Sequence, residues 1–543
     1  MIDLHLTRRA LVAAMGATAM ATNAPLLAKA AGGSKGLEVQ TAQGRLRGKH
    51  EGKTKAFLGV PYAAPPVGPL RFRAPQPPKS WRGVRDAVTY GPPSIQNNRD
   101  HKAWVDPLPG SEDCLYLNVW VPDGKSPNKP VMVWFHGGGY ESGSGGLPLY
   151  NGAALADHGD VVVVTVNHRL SLMGYLWLGD VDPSYASDST PGQQDLVASL
   201  KWVRDNIAAF GGDPNNVTIF GESGGGGKVS ALLATPSAKG LFHKAIVQSG
   251  SQQKVYTRAE ASEITKIALS AVDLKTPTAA ALSALPNSAL WTMMLAVGKL
   301  PGLAFQPVVD GAFMPHQTWQ DAAPPESLAV PMMIGVNADE SVAFLPDMRK
   351  EPKDDAEMRA RFAGSMGGKA FTDEEWGRVI QRYRALLPNA SRLDLLVAMS
   401  SDFWMRSSAQ NQAEKKVKQG GAPVFVYEFG WKTPCFGGSW SLHGIEIPFV
   451  FGNLDYGVAW DGEDSEASRA AADPKRDRFR LAAQTMSAWA AFAHSGNPST
   501  PEIPWPAFDL QRRATLVLDR EIKVVDDLHH DRRVFAQTFQ SAW

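Results

Sequence analysis

Cysteine is almost absent from this 543-residue chain: Cys114 and Cys435 are the only two. That excludes a disulfide-built scaffold and any four-cysteine zinc or iron–sulfur site. Charge of one sign is also missing, with 55 basic against 54 acidic residues and a formal net charge of +1. No basic surplus points to nucleic acid as a partner. The chain has no uninterrupted apolar run approaching the ~20 residues a membrane span needs. Internal repeats, low-complexity linkers and long charge runs are lacking too, which excludes solenoids and extended disorder. What remains is ordinary globular composition, 44% hydrophobic and 20% charged, with 51 glycines and 39 prolines as expected of a loop-rich enzyme. At roughly 150 residues per domain the length suggests three or four units, although large α/β enzymes exceed that as one.

The first thirty residues stand apart. Thr7-Arg8-Arg9-Ala10-Leu11-Val12 opens a short apolar, small-residue run that is broken by Gly16 and Thr18, and Ala28-Lys29-Ala30 offers an A-x-A cleavage pattern. Basic flank, apolar stretch and small-residue site describe an export signal over 1–30, and the paired arginines favour the twin-arginine route. The expectation is an exported, periplasmic or secreted protein without a stable membrane anchor.

Beyond the signal the pattern alternates between strand and helix. Val131–Phe135 and Val161–Val166 are short β-branched runs, apolar on both faces, as in strands buried on both sides of a parallel sheet. Leu196, Leu200, Val203 and Ile207 then recur at helical spacing, Gly211-Gly212-Asp213-Pro214 stops the helix, and Val217–Phe220 reads as the next strand. Strand, helix and strand on this scale imply a right-handed βαβ crossover. The polar stretch 347–374 reads as a helical surface insertion.

Gly221-Glu222-Ser223-Gly224-Gly225 matches G-x-S-x-G, and so does Gly32-Gly33-Ser34-Lys35-Gly36. Context separates them. Ser223 follows a strand and precedes the apolar run Val229–Ala234, so the chain must turn sharply there and lift the hydroxyl above the sheet. Ser34 follows no strand. Gly224–Lys228 is not a phosphate loop, because Glu222 and Val229 occupy positions that motif needs as glycine and Ser/Thr. A serine nucleophile requires a base and donors for the oxyanion. His136-Gly137-Gly138-Gly139 follows the strand ending at Phe135, and its side-chain-free residues let backbone N–H groups approach a substrate oxygen closely.

Taken in order, several segments resemble the type-B carboxylesterases, the family of para-nitrobenzyl esterases, liver carboxylesterases and cholinesterases. They are Phe57–Ala63 with Leu70-Arg71-Phe72, Glu112–Asn118, the His136 loop, Val166–Leu170, Phe210–Pro214, the Ser223 elbow and Gln248–Ser251. The resemblance covers nearly all of 31–543. It implies one large α/β-hydrolase domain with a large, mainly parallel central sheet and helices on both faces, a Ser–His–Glu triad, no cofactor and no metal. Chain order in that fold is serine, acid, histidine. His443, His494, His529 and His530 lie late enough to be the base. His494 suits a helix end, and His529 and His530 lie in a run that reads as a solvated tail. His443, in a loop before Ile445–Gly452, resembles the family's histidine block. Residue type does not choose between Asp339 and Glu340 as the acid; the resemblance implies Glu340. Asp310, in Val308–Gly311, resembles a structural turn of the family.

The resemblance further implies an oxyanion hole from the N–H groups of Gly138, Gly139 and Gly224, with Glu222 and Glu446 flanking the site. Three positions depart from the family pattern. Gly224 stands where alanine is usual, and Ser341 stands where glycine often follows the acid. The usual partner of Cys114, some twenty residues earlier, is missing from 91–96, which leaves two buried thiols or a Cys114–Cys435 bridge. The resulting expectation is acyl transfer from a small-molecule ester, with activity falling as pH drops through roughly 6.5. A lipase or amidase on the same fold is the alternative, and a non-catalytic adhesion protein a more distant one. Acyl and alcohol preference are not legible, since function lies in the pocket. Trp104, Trp404, Trp440 and Trp460 are candidates for lining it.

Overall fold

Alternation in the apolar strands determines how the molecule is layered. In the computed structural model, which describes residues 37–96, 108–124, 127–274, 276–300, 302, 304–344, 350–366, 371–432, 439–457 and 466–539, eleven strands form one sheet. In chain order these are β1 (Lys49–Glu51), β2 (Thr54–Pro61), β3 (Tyr116–Pro122), β4 (Lys129–Phe135), β5 (Val162–Val166), β6 (Gly212–Glu222), β7 (Lys244–Gln248), β8 (Met332–Asn337), β9 (Val424–Phe429), β10 (Ala514–Leu518) and β11 (Lys523–Asp526). Across the sheet they lie β11-β10-β9-β8-β7-β6-β4-β5-β3-β2-β1. From β10 to β5 every pairing is parallel; β11 and the β3-β2-β1 flank run antiparallel. The mainly parallel sheet expected from the sequence is thus parallel in its middle and antiparallel at both edges.

Side chains at successive strand positions enter opposite cores. Met132, Trp134, Val163, Phe220, Ile246 and Met333 pack on one face. Their neighbours Val133, Phe135, Val164, Ile219, Val247 and Ile334 pack on the other. Burying each such side chain contributes about 1.5–3 kcal/mol, so both faces drive the sheet into the interior. Helix α1 (Pro191–Asn206) covers the second face through Leu196, Leu200 and Val203. Helix α2 (Gly224–Leu232) packs there through Val229 and Leu232. Helix α3 (Asp477–Ser495) covers the first through Leu481, Trp489 and Phe492.

The helix expected from the spacing of Leu196, Leu200, Val203 and Ile207 ends as an α-helix at Asn206 and tightens into a 3-10 turn, Ile207–Phe210, before Gly211 at φ 83°. β6 begins at Gly212, five residues before the expected strand. Within the polar 347–374 stretch, Asp355–Ser365 is helical and buries Met358 and Phe362 against the first core. One expectation is corrected here. His529 does not lie in a solvated tail: its Nε2 is 3.1 Å from the buried Glu428 carboxylate, whereas His530, which opens the helix His530–Gln537, is exposed as expected. The export signal read over 1–30 lies outside the described residues. Leu37–Trp543 forms one compact unit, and no helix among the described residues is long and apolar enough to cross a membrane. Cys114 is a buried free thiol, and Cys435 lies outside the described residues.

Candidate active site

Five neighbouring parallel strands deliver the site from their carboxyl ends. β4 ends at Phe135 and leads into His136–Gly139; β6 ends at Glu222 and leads into Ser223; β7 leads into Ser249. β8 leads to Asp339 and Glu340, and the loop after β9 carries His443. Such carboxyl-end crevices are where open α/β sheets bind ligands.

Ser223 adopts φ 55° and ψ −125°, the strained conformation of a strand-to-helix elbow. For a residue with a side chain this costs on the order of 1–3 kcal/mol, supplied by the packing around it. Its N–H donates to Gln248 O (2.9 Å), and its carbonyl accepts from Gly227 N (2.9 Å) as the first turn of α2. A side chain at Gly225 would overlap the Phe135 carbonyl, so glycine there lets α2 pass close over β4.

His443 is buried, and its Nδ1 lies 2.5 Å from Glu340 Oε2. The other carboxylate oxygen of Glu340 accepts from Ser249 Oγ (2.5 Å) and from Asn337 N (2.6 Å). Asp339, the rival by residue type, turns away and accepts from Ser441 N through Oδ2 (2.9 Å). Asp310 forms a turn, accepting from Ala312 N (2.8 Å) and Met314 N (2.9 Å). His494 caps the far end of α3, with Nε2 2.9 Å from Gly159 O. Ser341 is buried, its hydroxyl donating to Val397 O (3.1 Å).

On its other side His443 Nε2 lies 3.1 Å from Glu222 Oε1. That contact is close but poorly aligned, and neither oxygen of Glu222 has a hydrogen-bond partner among the described residues. Glu446 sits one layer back, accepting from Gln248 Nε2 (3.2 Å) and Asn337 Nδ2 (2.7 Å). Three buried glutamates therefore surround one imidazole. Burial pushes the carboxyl of Glu222 well above its ordinary value; His443 opposes this, and Glu446 and Glu340 add to it. Burial, then Glu340, pushes Glu446 up to about 7. For His443 burial acts downward, but Glu222, Glu340 with its hydrogen bond, and Glu446 outweigh it and raise it to about 9. The value of roughly 6.5 expected for an unperturbed histidine is thereby corrected upward.

The glycine loop meets the elbow directly. Gly138 and Gly139 have φ 84° and 63°. The Gly138 carbonyl accepts from Ser142 N (3.0 Å) and Glu141 N (3.2 Å). The N–H groups of Gly138, Gly139 and Gly224 donate to no other group among the described residues. Phe344 and Trp404 lie against the imidazole, with ring centroids 4.9 and 6.4 Å from it, and Phe344 is 46% exposed. Trp440 packs at the edge of the first core, whereas Trp104 and Trp460 lie outside the described residues. Sequence reasoning assigned no role to Ser249, Asn337, Gln248 or Phe344. For the first three the signal was adjacency to strand ends: Gln248 and Asn337 close β7 and β8, and Ser249 follows Gln248 directly; Phe344, at the end of a 3-10 turn, carried no such signal.

A largely parallel sheet with a serine elbow on its carboxyl edge, and an acid–histidine pair delivered by later strands, defines an α/β-hydrolase. The family model described as "Carboxylesterase family" matches residues 35–536. Para-nitrobenzyl esterase of Bacillus subtilis is 37% identical over 509 residues, spanning 91% of this chain and 97% of the relative. A medium-chain fatty acyl-CoA hydrolase precursor of Anas platyrhynchos is 35% identical, covering 88% and 87%. A solved structure of a thermophilic PNB esterase superimposes with a TM-score of 0.78 at 35% identity, over 92% of this chain and 99% of that one. The chain belongs to the carboxylesterase family and is a serine hydrolase of carboxylic esters.

Proposed function

We propose that Ser223 is the nucleophile, His443 the general base and Glu340 the triad acid, with Gly138, Gly139 and Gly224 donating to the oxyanion. The observation that carries this assignment is the 2.5 Å contact between His443 Nδ1 and Glu340 Oε2, on the same carboxyl edge of the sheet as the Ser223 elbow. Nδ1–H donates to the carboxylate, which leaves Nε2 as the basic nitrogen; it lies 3.1 Å from Oε1 of Glu222, the residue before Ser223, and has no hydrogen-bond partner among the described residues. In the first step the Ser223 Oγ–H proton passes to Nε2 while Oγ bonds to the ester carbonyl carbon. The carbonyl oxygen becomes an oxyanion held by backbone N–H groups. Collapse breaks the bond to the alkoxy oxygen, which leaves with the proton from Nε2. Water then gives a proton to Nε2 and bonds to the acyl carbon; the bond from that carbon to Ser223 Oγ breaks, Oγ takes the proton back from Nε2, and the acid leaves. Glu340 favours the imidazolium in both steps, and Glu222 and Glu446 set its field.

Substrates are small-molecule esters, and para-nitrobenzyl esters are the first to test given the relative that carries that name. The partly exposed Phe344 beside His443 supports an aromatic wall for them. The pattern over 1–30 supports export to the periplasm by the twin-arginine route, with 31–543 as a single catalytic domain. An organophosphorus reagent should abolish activity and add one phosphoryl group, mapped to Ser223 by peptide mass spectrometry. Ser223→Ala should take up none and lose turnover by about 10⁴–10⁶-fold. Ester hydrolysis at the normal rate by Ser223→Ala would overturn the assignment.

A further inference from the structure

The elbow helix carries a buried lysine that the mechanism above does not use. Lys228 has no solvent exposure and no carboxylate ion-paired with it among the described residues. A lone buried ammonium is costly unless its hydrogen bonds are well placed. Here Nζ donates to the carbonyls of His136 (2.9 Å) and Gly139 (2.8 Å), the first and last residues of the glycine loop, and lies 5.4 Å from the centre of the Tyr140 ring. One turn earlier on the same face of α2 is Gly224. A Cβ at that position would overlap the Gly139 carbonyl oxygen and lie 2.5 Å from Gly139 C and Cα. The absent methyl and the lysine thus act on one carbonyl: the first leaves room for it, and the second holds it.

This arrangement orients the loop. The Gly137 carbonyl lies 2.9 Å from His136 Nδ1, and the Gly138 carbonyl accepts from Ser142 and Glu141. With the His136 and Gly139 carbonyls on Lys228, all four carbonyls of His136–Gly139 are engaged within the protein, while the N–H groups of Gly138 and Gly139 are not. Three other titratable groups bear on Lys228. Burial, then the lysine's charge, lowers His136 to about 3, and the same two causes lower His168, whose ring stacks on His136 at 4.8 Å. Glu222 raises Lys228 against a larger lowering by burial.

We propose that Lys228 is a positioning residue of the oxyanion site: from α2 it holds the glycine loop by its carbonyls, in space that Gly224 leaves open, so that the N–H groups of Gly138 and Gly139 face the reacting carbonyl. This rests on the assignment of Ser223 and its oxyanion donors given above. Lys228 touches no substrate, so its effect appears when the oxyanion forms and not when the ester binds.

The test compares wild type, Lys228→Met, Gly224→Ala and the double variant. Each is measured for kcat and KM on a para-nitrobenzyl ester and for inhibition by an aryl trifluoromethyl ketone. The Ser223 hydroxyl adds to the ketone carbon, its proton passes to His443, and the ketone oxygen becomes a stable oxyanion. We expect Lys228→Met to lower kcat about 10- to 100-fold with KM within about threefold, and to weaken the ketone by the same factor as kcat/KM. Gly224→Ala should act in the same direction. Because both act through the Gly139 carbonyl, the double variant should lose little more than the worse single one. A folded Lys228→Met that keeps kcat and ketone affinity within about twofold of wild type would overturn the proposal. If Lys228→Met does not fold, the same result for Gly224→Ala overturns it. Fully multiplicative losses in the double variant would overturn it as well. Failure of wild-type Ser223 to form the ketone adduct would instead sink the underlying assignment.

Discussion

Two clusters of buried charge lie close together in this molecule and are built on opposite principles. Around His443 three glutamates face one imidazole. In the other cluster, Arg406 on the π-helical turn Asp402–Arg406 contacts Asp402 and donates to Glu428 (3.0 Å). Arg532 adds two further bonds to Asp402 (2.5 and 2.8 Å), and the Tyr383 hydroxyl donates one (2.7 Å). There the carboxylates are balanced. Despite burial, Arg406 and His529 hold Glu428 down at about 2, and Arg406 with Arg532 keeps Asp402 low. At His443 the carboxyls of Glu222 and Glu446 are pushed up instead. Paired charge makes a fixed strut, whereas unbalanced charge keeps protons near their point of exchange, as acid–base chemistry at neutral pH requires. The strut also serves the site, since Arg406 donates to Ala338 O (2.8 Å), two residues before Glu340.

The largest effect that separates the two clusters should come from Glu340→Gln. The amide cannot accept the Nδ1–H and support the imidazolium as the carboxylate does, and we expect kcat to fall by about 10⁴-fold. Denaturant unfolding should show a far smaller change. Arg406→Met should do the reverse: it leaves Glu428 and part of Asp402 buried without their cation and should cost about 3–5 kcal/mol in urea unfolding. The folded fraction should lose far less activity than Glu340→Gln, although the Ala338 carbonyl loses its donor. If Glu340→Gln destabilised the protein as much as Arg406→Met while sparing kcat, the contrast would be broken.

A smaller effect is expected from Glu222→Gln. In the proposed mechanism His443 must be neutral to act as base, and Glu222 is the largest of the influences raising it. In the wild type the rate should therefore rise with pH across a limb above 6.5. Removing the Glu222 charge lowers the His443 pKa, so the limb should move to lower pH in a kcat/KM profile. An unmoved limb, or one displaced upward, would remove Glu222 from the account.

Much of this architecture was legible because it depends on local pattern. Val131–Phe135 and Val161–Val166 could be read as two-sided strands since both their faces are buried, and the Ser223 elbow followed from a strand meeting a helix across glycines. The choice between Asp339 and Glu340 was not legible from residue type. The proposed choice of Glu340 rests on a 3-10 turn, Glu340–Phe344, that puts the second carboxylate against His443 while the first binds Ser441 N. His529 was misread because its sequence neighbours are charged, whereas its partner Glu428 lies 101 residues away. Lys228 is similar: nothing in Gly224–Lys228 shows that its ammonium reaches carbonyls 92 and 89 residues earlier. Long-range pairing of polar groups has no period to read, in the site and in the strut alike.

The unbalanced charge at His443 can be measured directly by following its imidazole resonances by NMR across pH in wild type and in Glu222→Gln. We expect the wild-type ring to titrate above 6.5, toward about 9, and the variant ring to titrate lower. A wild-type His443 that titrates at or below 6.5, unaffected by Glu222→Gln, would contradict the account.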